Sequence, residues 1–255
     1  MEFIIVFVFG AIIGSFLNVC IYRIPLSKSI VFPSSACTFC AHPIRWFDNI
    51  PMVSFLILRG KCRDCSTPIS ARYFAVELLT ALAGVGLLFY FSLCPAFFVY
   101  WLFTCALIVV VFIDIEHQEI PDVISLPGIF FGMVLFTVFK LGGSGTYIGS
   151  LLGSFLGVIA GGGSMFLLGM IGELIFRKQA LGGGDVKLMA MLGAFLGWKL
   201  VILTFFLAPI LGVGVGVFMK IKFKRDVIPY GPYLALASLV SLLWGSRILD
   251  HLFVI

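Results

Sequence analysis

The sequence predicts an all-α polytopic membrane protein of about eight transmembrane helices, with a small hydrophilic insertion between the first two. Two observations lead there. Of its 255 residues, 61% are hydrophobic and only 11% are charged, with a mean hydropathy of +1.17, whereas a soluble domain runs nearer to about a quarter charged. The apolar residues also fall in repeated runs, most of them close to the roughly 20 residues that cross a bilayer as a helix. Such runs recur too often for a single anchor.

Spans are expected near 3–21, 74–93, 96–113, 123–140, 147–171, 186–198, 200–219 and 231–248, the sixth being short. Gly and Phe, 28 of each, suit close helix packing and lipid-facing surfaces, and small residues recur at helical spacing in Gly149–Gly163. The first run has no basic segment before it, and Gly14-Ser15-Phe16-Leu17-Asn18 holds no convincing cleavage site. A retained first helix is therefore expected rather than a signal peptide.

Orientation follows from the 17 Lys and Arg residues. Seven lie in 22–72 (Arg23, Lys28, Arg45, Arg59, Lys61, Arg63, Arg72), three in 173–187 (Arg177, Lys178, Lys187) and four in 220–226 (Lys220, Lys222, Lys224, Arg225). With the expected spans these segments share one side, and only Lys140, Lys199 and Arg247 fall opposite. Excess positive charge stays in the cytoplasm, which puts both termini outside. The net charge of +5 reflects this topology. No aromatic-basic groove accompanies it, so nucleic-acid binding is not read from it.

Residues 22–72 form the only sizeable hydrophilic segment. It carries Cys37-Thr38-Phe39-Cys40 and Cys62-Arg63-Asp64-Cys65, two Cys-x-x-Cys pairs separated by 21 residues. Each pair can present two thiolates from one turn, and together they complete the tetrahedron of a structural zinc site. A cytoplasmic setting argues against disulfides, leaving redox thiol chemistry as the alternative. Such a site has no open position for an activated water, so its metal would fold a domain too small for its own core. His42 could replace a ligand but reads as a surface histidine, while Cys20, Cys94 and Cys105 read as small hydrophobes.

Two acidic motifs stand at the edges of apolar runs. One is Asp114-Ile115-Glu116-His117-Gln118-Glu119-Ile120-Pro121-Asp122; the other is Leu181-Gly182-Gly183-Gly184-Asp185-Val186-Lys187-Leu188. Carboxylates at membrane depth are costly and mark function by default. Two that converge can share a proton, one polarising a scissile carbonyl while the other activates water. Asp114 and Asp185 are the candidate pair. The competing role for Asp185 is to cap a helix beginning near Val186, and capping is favoured for Asp122. Gly182–Gly184 is expected to permit positive φ and close approach of a substrate backbone. Glu116 and Glu119 read as solvated or substrate-facing; with four acids and no Lys or Arg, segment 114–122 would attract a basic peptide. Glu77, early in the second span, could pair with Arg72 or Arg23 or meet a polar ligand, and a structural role is favoured.

At this point the chain resembles the bacterial type IV prepilin peptidases, also called leader peptidase/N-methyltransferases, over nearly its whole length. The opening segment Gly14 to Pro25, the Cys pairs flanking Ile50-Pro51-Met52-Val53-Ser54, the segments Leu58-Arg59-Gly60-Lys61-Cys62 and Ile69-Ser70-Ala71-Arg72-Tyr73, and both aspartate motifs carry the likeness. Gly193-Ala194-Phe195-Leu196-Gly197-Trp198 and Ile228-Pro229-Tyr230-Gly231-Pro232-Tyr233 extend it, while Phe55 and Phe74 stand where the family pattern has Trp and Pro.

The resemblance implies a bacterial inner-membrane enzyme. It would cleave the basic leader of prepilins or pseudopilins after a glycine, then methylate the new N-terminus using S-adenosylmethionine. It implies catalytic roles for Asp114 and Asp185, and places methyl transfer with the cysteine segment. Gly60 is the best cofactor-binding candidate there, with Arg45, Trp46 and Asn49 near it; no Gly-x-Gly-x-x-Gly accompanies them. The chain would then divide into a first helix (1–21), a cytoplasmic zinc-binding methyltransferase domain (22–72) and a transmembrane aspartyl peptidase domain (73–255). A proton-coupled transporter would need deep acids with access from both sides. A zinc-ribbon scaffold would leave the Gly-Asp motif unexplained.

Overall fold

The computed structural model describes residues 1–143, 145–177, 182–223 and 229–253. Lys178, Leu181, Lys224, Arg225 and Ile228, used in the sequence arguments above, lie outside the described residues. The helices are α1 (Glu2–Arg23), α2 (Val53–Ile57), α3 (Ala71–Phe91), α4 (Pro95–His117), α5 (Asp122–Val138), α6 (Tyr147–Phe176), α7 (Gly183–Phe223) and α8 (Gly231–Phe253). The chain forms two compact units, Met1–Phe112 and Ile113–Ile255.

Among the described residues, six helices are long and apolar enough to cross a membrane: Glu2–Arg23, Ala71–Phe91, Pro95–His117, Tyr147–Ile175, Gly183–Val213 and Gly231–Leu252. The expectation of about eight differs for two physical reasons. Asp122–Val138 is apolar but short, and the expected pair 186–198 and 200–219 is present as two helices that meet at a kink at Gly197 (φ 76, ψ 171) and are counted once in α7.

In the first unit, glycines bring α1 onto α3. A Cβ on Gly10 would lie 2.6 Å from the Ala81 Cα, and one on Gly14 2.6 Å from the Glu77 Cα, so neither position accepts a side chain without shifting backbone. Asn18, 1% exposed, donates from Nδ2 to the Tyr73 carbonyl at 3.0 Å and adds a polar tie to the same seam. The Arg23 guanidinium donates to the Ser29 and Pro33 carbonyls at 2.9 and 2.8 Å. Cys20 and Cys105 are buried, as small hydrophobes should be.

The second unit holds the last turn of α4 with α5 to α8. Its most extensive pairing is α6 on α7. There the backbones of Gly157 and Gly193 meet, Gly161 meets the Met189 carbonyl, and Ser154 donates to the Ala194 carbonyl at 2.8 Å. The small-residue spacing of Gly149–Gly163 is thus a helix-packing face.

Candidate active site and cysteine cluster

Helix α4 ends because Gln118 takes a left-handed conformation (φ 55), its N–H closing on the Asp114 carbonyl at 2.9 Å. Asp114 therefore sits in the last turn, 5% exposed. Its Oδ2 accepts the Gly231 N–H at 2.8 Å. That N–H opens α8 and has no partner within its own helix, so the carboxylate meets both an unpaired donor and the positive end of the helix dipole. Glycine leaves room for this contact. A Cβ at Gly231 would stand 2.6 Å from Asp114 Oδ2 and 3.2 Å from its Cγ. If Asp114 is catalytic, Gly231→Ala is expected to slow turnover about ten- to a hundredfold by displacing its carboxylate. Steady-state kinetics on the folded variant check this.

Helix α7 starts at Gly183, so Asp185 lies inside its first turn and does not cap a helix from Val186. Its N–H reaches the Gly182 carbonyl at 3.2 Å, and the residue is half-buried. The expected positive φ at Gly182–Gly184 is not found. Among the described residues nothing lies within 4 Å of a Cβ placed at Gly183; Gly184 serves close approach, since a Cβ there would lie 2.9 Å from the Ile120 Cβ. The glycine run of one motif thus seats the isoleucine of the other.

A second tie joins the same motifs. Lys187 Nζ donates to both carboxylate oxygens of Asp122, at 2.8 and 2.7 Å. Asp122 is consequently an ion-pair partner and not a cap: Pro121 occupies that position and no side-chain cap bond forms. These ties join the segment that carries Asp114 to the helix that carries Asp185, and Asp114 also meets the start of α8 through Gly231, next to Tyr230. Glu116 and Glu119 are exposed. Two acids from separate segments, supported by backbone donors, form an arrangement able to divide general-acid and general-base work. In the sequence, Gly231 and Tyr230 stand out only as part of a likeness. The available signal is a Pro-Tyr-Gly-Pro run opening an apolar helix, which marks unpaired donors.

In the first unit the two Cys-x-x-Cys turns are structural copies. Each closes with a bridge, Ala36 to Pro43 and Lys61 to Pro68. In each, the first Cys N–H bonds a carbonyl five residues on, at 2.9 Å (Cys37 to His42, Cys62 to Thr67). A left-handed residue follows each pair, Ala41 (φ 56) and Ser66 (φ 58). The four sulfurs lie within 4.8 Å of one another, and those of Cys37 and Cys65 are 3.8 Å apart. Four thiolates about 2.3 Å from one ion stand about 3.8 Å apart, so the donor set fits a tetrahedral metal. Hydrogen bonding with the Thr67 hydroxyl, and then its backbone N–H, brings the Cys65 thiol down to about 6, while Cys40 of the same cluster is pushed up to about 12. His42 is exposed and 4.0 Å from Asp64 Oδ2. Arg63 grips Asp48 through Nη2 at 2.6 Å and Nε at 2.8 Å, which holds the Asp48 carboxyl below its ordinary range.

Of the cofactor candidates, Gly60 (φ +67) is held with a Cβ position 3.1 Å from the Phe55 ring. Arg45, Trp46 and Asn49 are exposed, the latter two in a single 3-10 turn, Trp46–Asn49.

The architecture is that of a multi-pass helical membrane protein with a four-cysteine cluster and paired aspartates at helix ends. The sequence matches the bacterial Peptidase A24 N-terminal domain over residues 8–91 and the type IV leader peptidase family over residues 101–217. A protein of Aeromonas hydrophila named prepilin leader peptidase/N-methyltransferase is 37% identical, over 97% of this chain and 92% of its own. Proteins of the same name from Pseudomonas aeruginosa (34% identical, 94% and 89%) and Myxococcus xanthus (39%, 87% and 64%) are also similar. No solved structure matches. The chain belongs to the type IV leader peptidase family.

Proposed function

We propose that this protein is an aspartyl endopeptidase of the bacterial inner membrane. It cleaves the basic leader of a prepilin or pseudopilin after a glycine at the cytoplasmic face, then methylates the new N-terminal residue. The observation that carries the reading is the convergence of two acidic motifs, tied through Ile120 on Gly184 and Lys187 on Asp122.

One carboxyl of Asp114 and Asp185 retains a proton and polarises the scissile carbonyl, while the other takes a proton from water as it attacks. The departing amine receives a proton as the tetrahedral intermediate collapses. Glu116 and Glu119, exposed at the end of α4, would attract the basic leader, and Gly183, with open space beside it among the described residues, leaves room for a peptide backbone. The substrate's apolar segment staying in the bilayer would hold the bond in place with little sequence recognition.

Cys37, Cys40, Cys62 and Cys65 would hold zinc, with all four positions filled and a purely structural role. S-adenosylmethionine, when bound, supplies the methyl group. Trp46, 81% exposed, offers an aromatic face that suits its purine, with Arg45, Asn49 and Gly60 in the same segment of the chain.

The test is mass spectrometry of a synthetic prepilin incubated with purified protein in detergent, with and without the methyl donor. Cleavage after the leader glycine is expected in both, and one added methyl group at the new N-terminus only with donor. An intact substrate would sink the peptidase reading; cleavage without methylation would sink the second activity.

A further inference from the structure

Glu77 is a membrane-helix carboxylate that the proposed peptidase chemistry does not use. It lies on α3 and is 7% exposed. Burying such a group is costly, so what it holds matters. Its Oε2 accepts the Met52 N–H at 2.6 Å. Met52 itself is unusual, with φ 60 and ψ −45, a region that non-glycine residues avoid. The Val53 N–H reaches the Pro51 carbonyl at 2.6 Å across it. Together these define a three-residue turn of the rare, strained hand. Strain of that kind persists only where the surroundings over-determine it.

On one side, Glu77 is set in the α1–α3 seam, where glycine at position 14 admits its backbone. On the other side the turn launches α2. Ser54, buried, donates from Oγ to the Phe47 carbonyl at 2.9 Å. The Phe55 ring packs on Phe74, centroids 5.6 Å apart, and against Gly60. The Gly60 N–H then bonds the Phe55 carbonyl at 2.8 Å, and its carbonyl accepts the Ile69 N–H at 2.7 Å beside the second cysteine turn. These contacts lead from Glu77 through the Met52 turn and Gly60 to Ile69, next in sequence to the bridge Lys61 to Pro68 that closes the second cysteine turn.

We propose that Glu77 is a positioning residue for methyl transfer: it locks the Met52 turn, and so fixes where the segment Trp46–Gly60 stands relative to the cysteine cluster. This rests on the reading that the segment carries methyl transfer. The bond needs an acceptor oxygen and not a charge, so glutamine preserves it and alanine removes it.

The experiment compares full-length wild type, Glu77→Ala and Glu77→Gln in detergent. It measures leader cleavage, zinc content, methylation of a pre-cleaved peptide against donor concentration, and hydrogen exchange of residues 46–60. Glu77→Ala is expected to keep its zinc and cleave at the wild-type rate. Its methylation efficiency should fall about ten- to a hundredfold, chiefly through a raised KM for the donor, with faster exchange in 46–60. Glu77→Gln should restore both. Wild-type methylation in Glu77→Ala overturns the proposal, as does loss of zinc and cleavage together with methylation. A glutamine variant as defective as alanine overturns it too, since charge would then be the requirement. If wild type cleaves but never methylates, the proposed second activity fails; unchanged exchange at 46–60 in Glu77→Ala would then overturn the positioning claim, and faster exchange would support it.

Discussion

Asp114→Asn and Asp185→Asn should each abolish leader cleavage, with losses of about a hundred- to ten-thousandfold, the range of a general acid or base. Asparagine keeps the shape and an acceptor oxygen. At position 114 its amide oxygen can still receive the Gly231 N–H that Asp114 receives at 2.8 Å, and residue 185 stays in the first turn of α7. Stability should therefore change little while proton transfer disappears. Because the acids would act as one unit, the double variant should be hardly worse than either single one. Single-turnover cleavage of a synthetic prepilin, with thermal unfolding of each variant, decides the matter. A folded variant that cleaves at close to the wild-type rate removes that aspartate from the mechanism.

Stripping the metal should have the next largest effect, and on the other activity. Apparent binding free energies of structural zinc sites run to about 10–16 kcal/mol, and in small domains that is folding free energy. The two cysteine turns have little else to hold them: most residues from 35 to 50 are exposed, and single bridges close each turn. Chelation, or Cys62→Ser, is expected to release the ion, loosen residues 35–69 and eliminate methylation. Cleavage should largely survive, since Asp114, Asp185, Gly231 and the Lys187–Asp122 pair all belong to the compact unit Ile113–Ile255. Metal content, hydrogen exchange and the two activities can be read on one preparation. Parallel loss of both activities would show that the two halves do not work separately.

Much of this architecture was legible because its signals are strong and local. Apolar runs of span length announce helices, and two Cys-x-x-Cys pairs announce a ligand set. What escaped depends on neighbours remote in sequence. That Lys187 would choose Asp122, 65 residues away, over nearby Asp185 is decided by how α7 meets α5. Composition cannot show that Gly184 exists for Ile120 and not for backbone freedom, because both uses call for the same residue. The run 186–219 reads as two spans and is two helices, but that one positive-φ residue, Gly197, would separate them without a loop is not visible in composition. The doubled cysteine turn was open to view in Cys37-Thr38-Phe39-Cys40-Ala41-His42-Pro43-Ile44 and Cys62-Arg63-Asp64-Cys65-Ser66-Thr67-Pro68-Ile69. Aligning the two segments on their shared Pro-Ile would have exposed it.

The contact of Ile120 with Gly184 has a mechanical consequence. Neither partner carries a charge, so the grip between the motifs is indifferent to whether a proton is present on the acids beside it. Lys187 and Asp122, the charged tie, likewise form a pair of their own outside the dyad. If Asp114 and Asp185 are the reacting groups, the contacts that join their segments are a separate device, and protons added or removed in a turnover would leave those contacts in place.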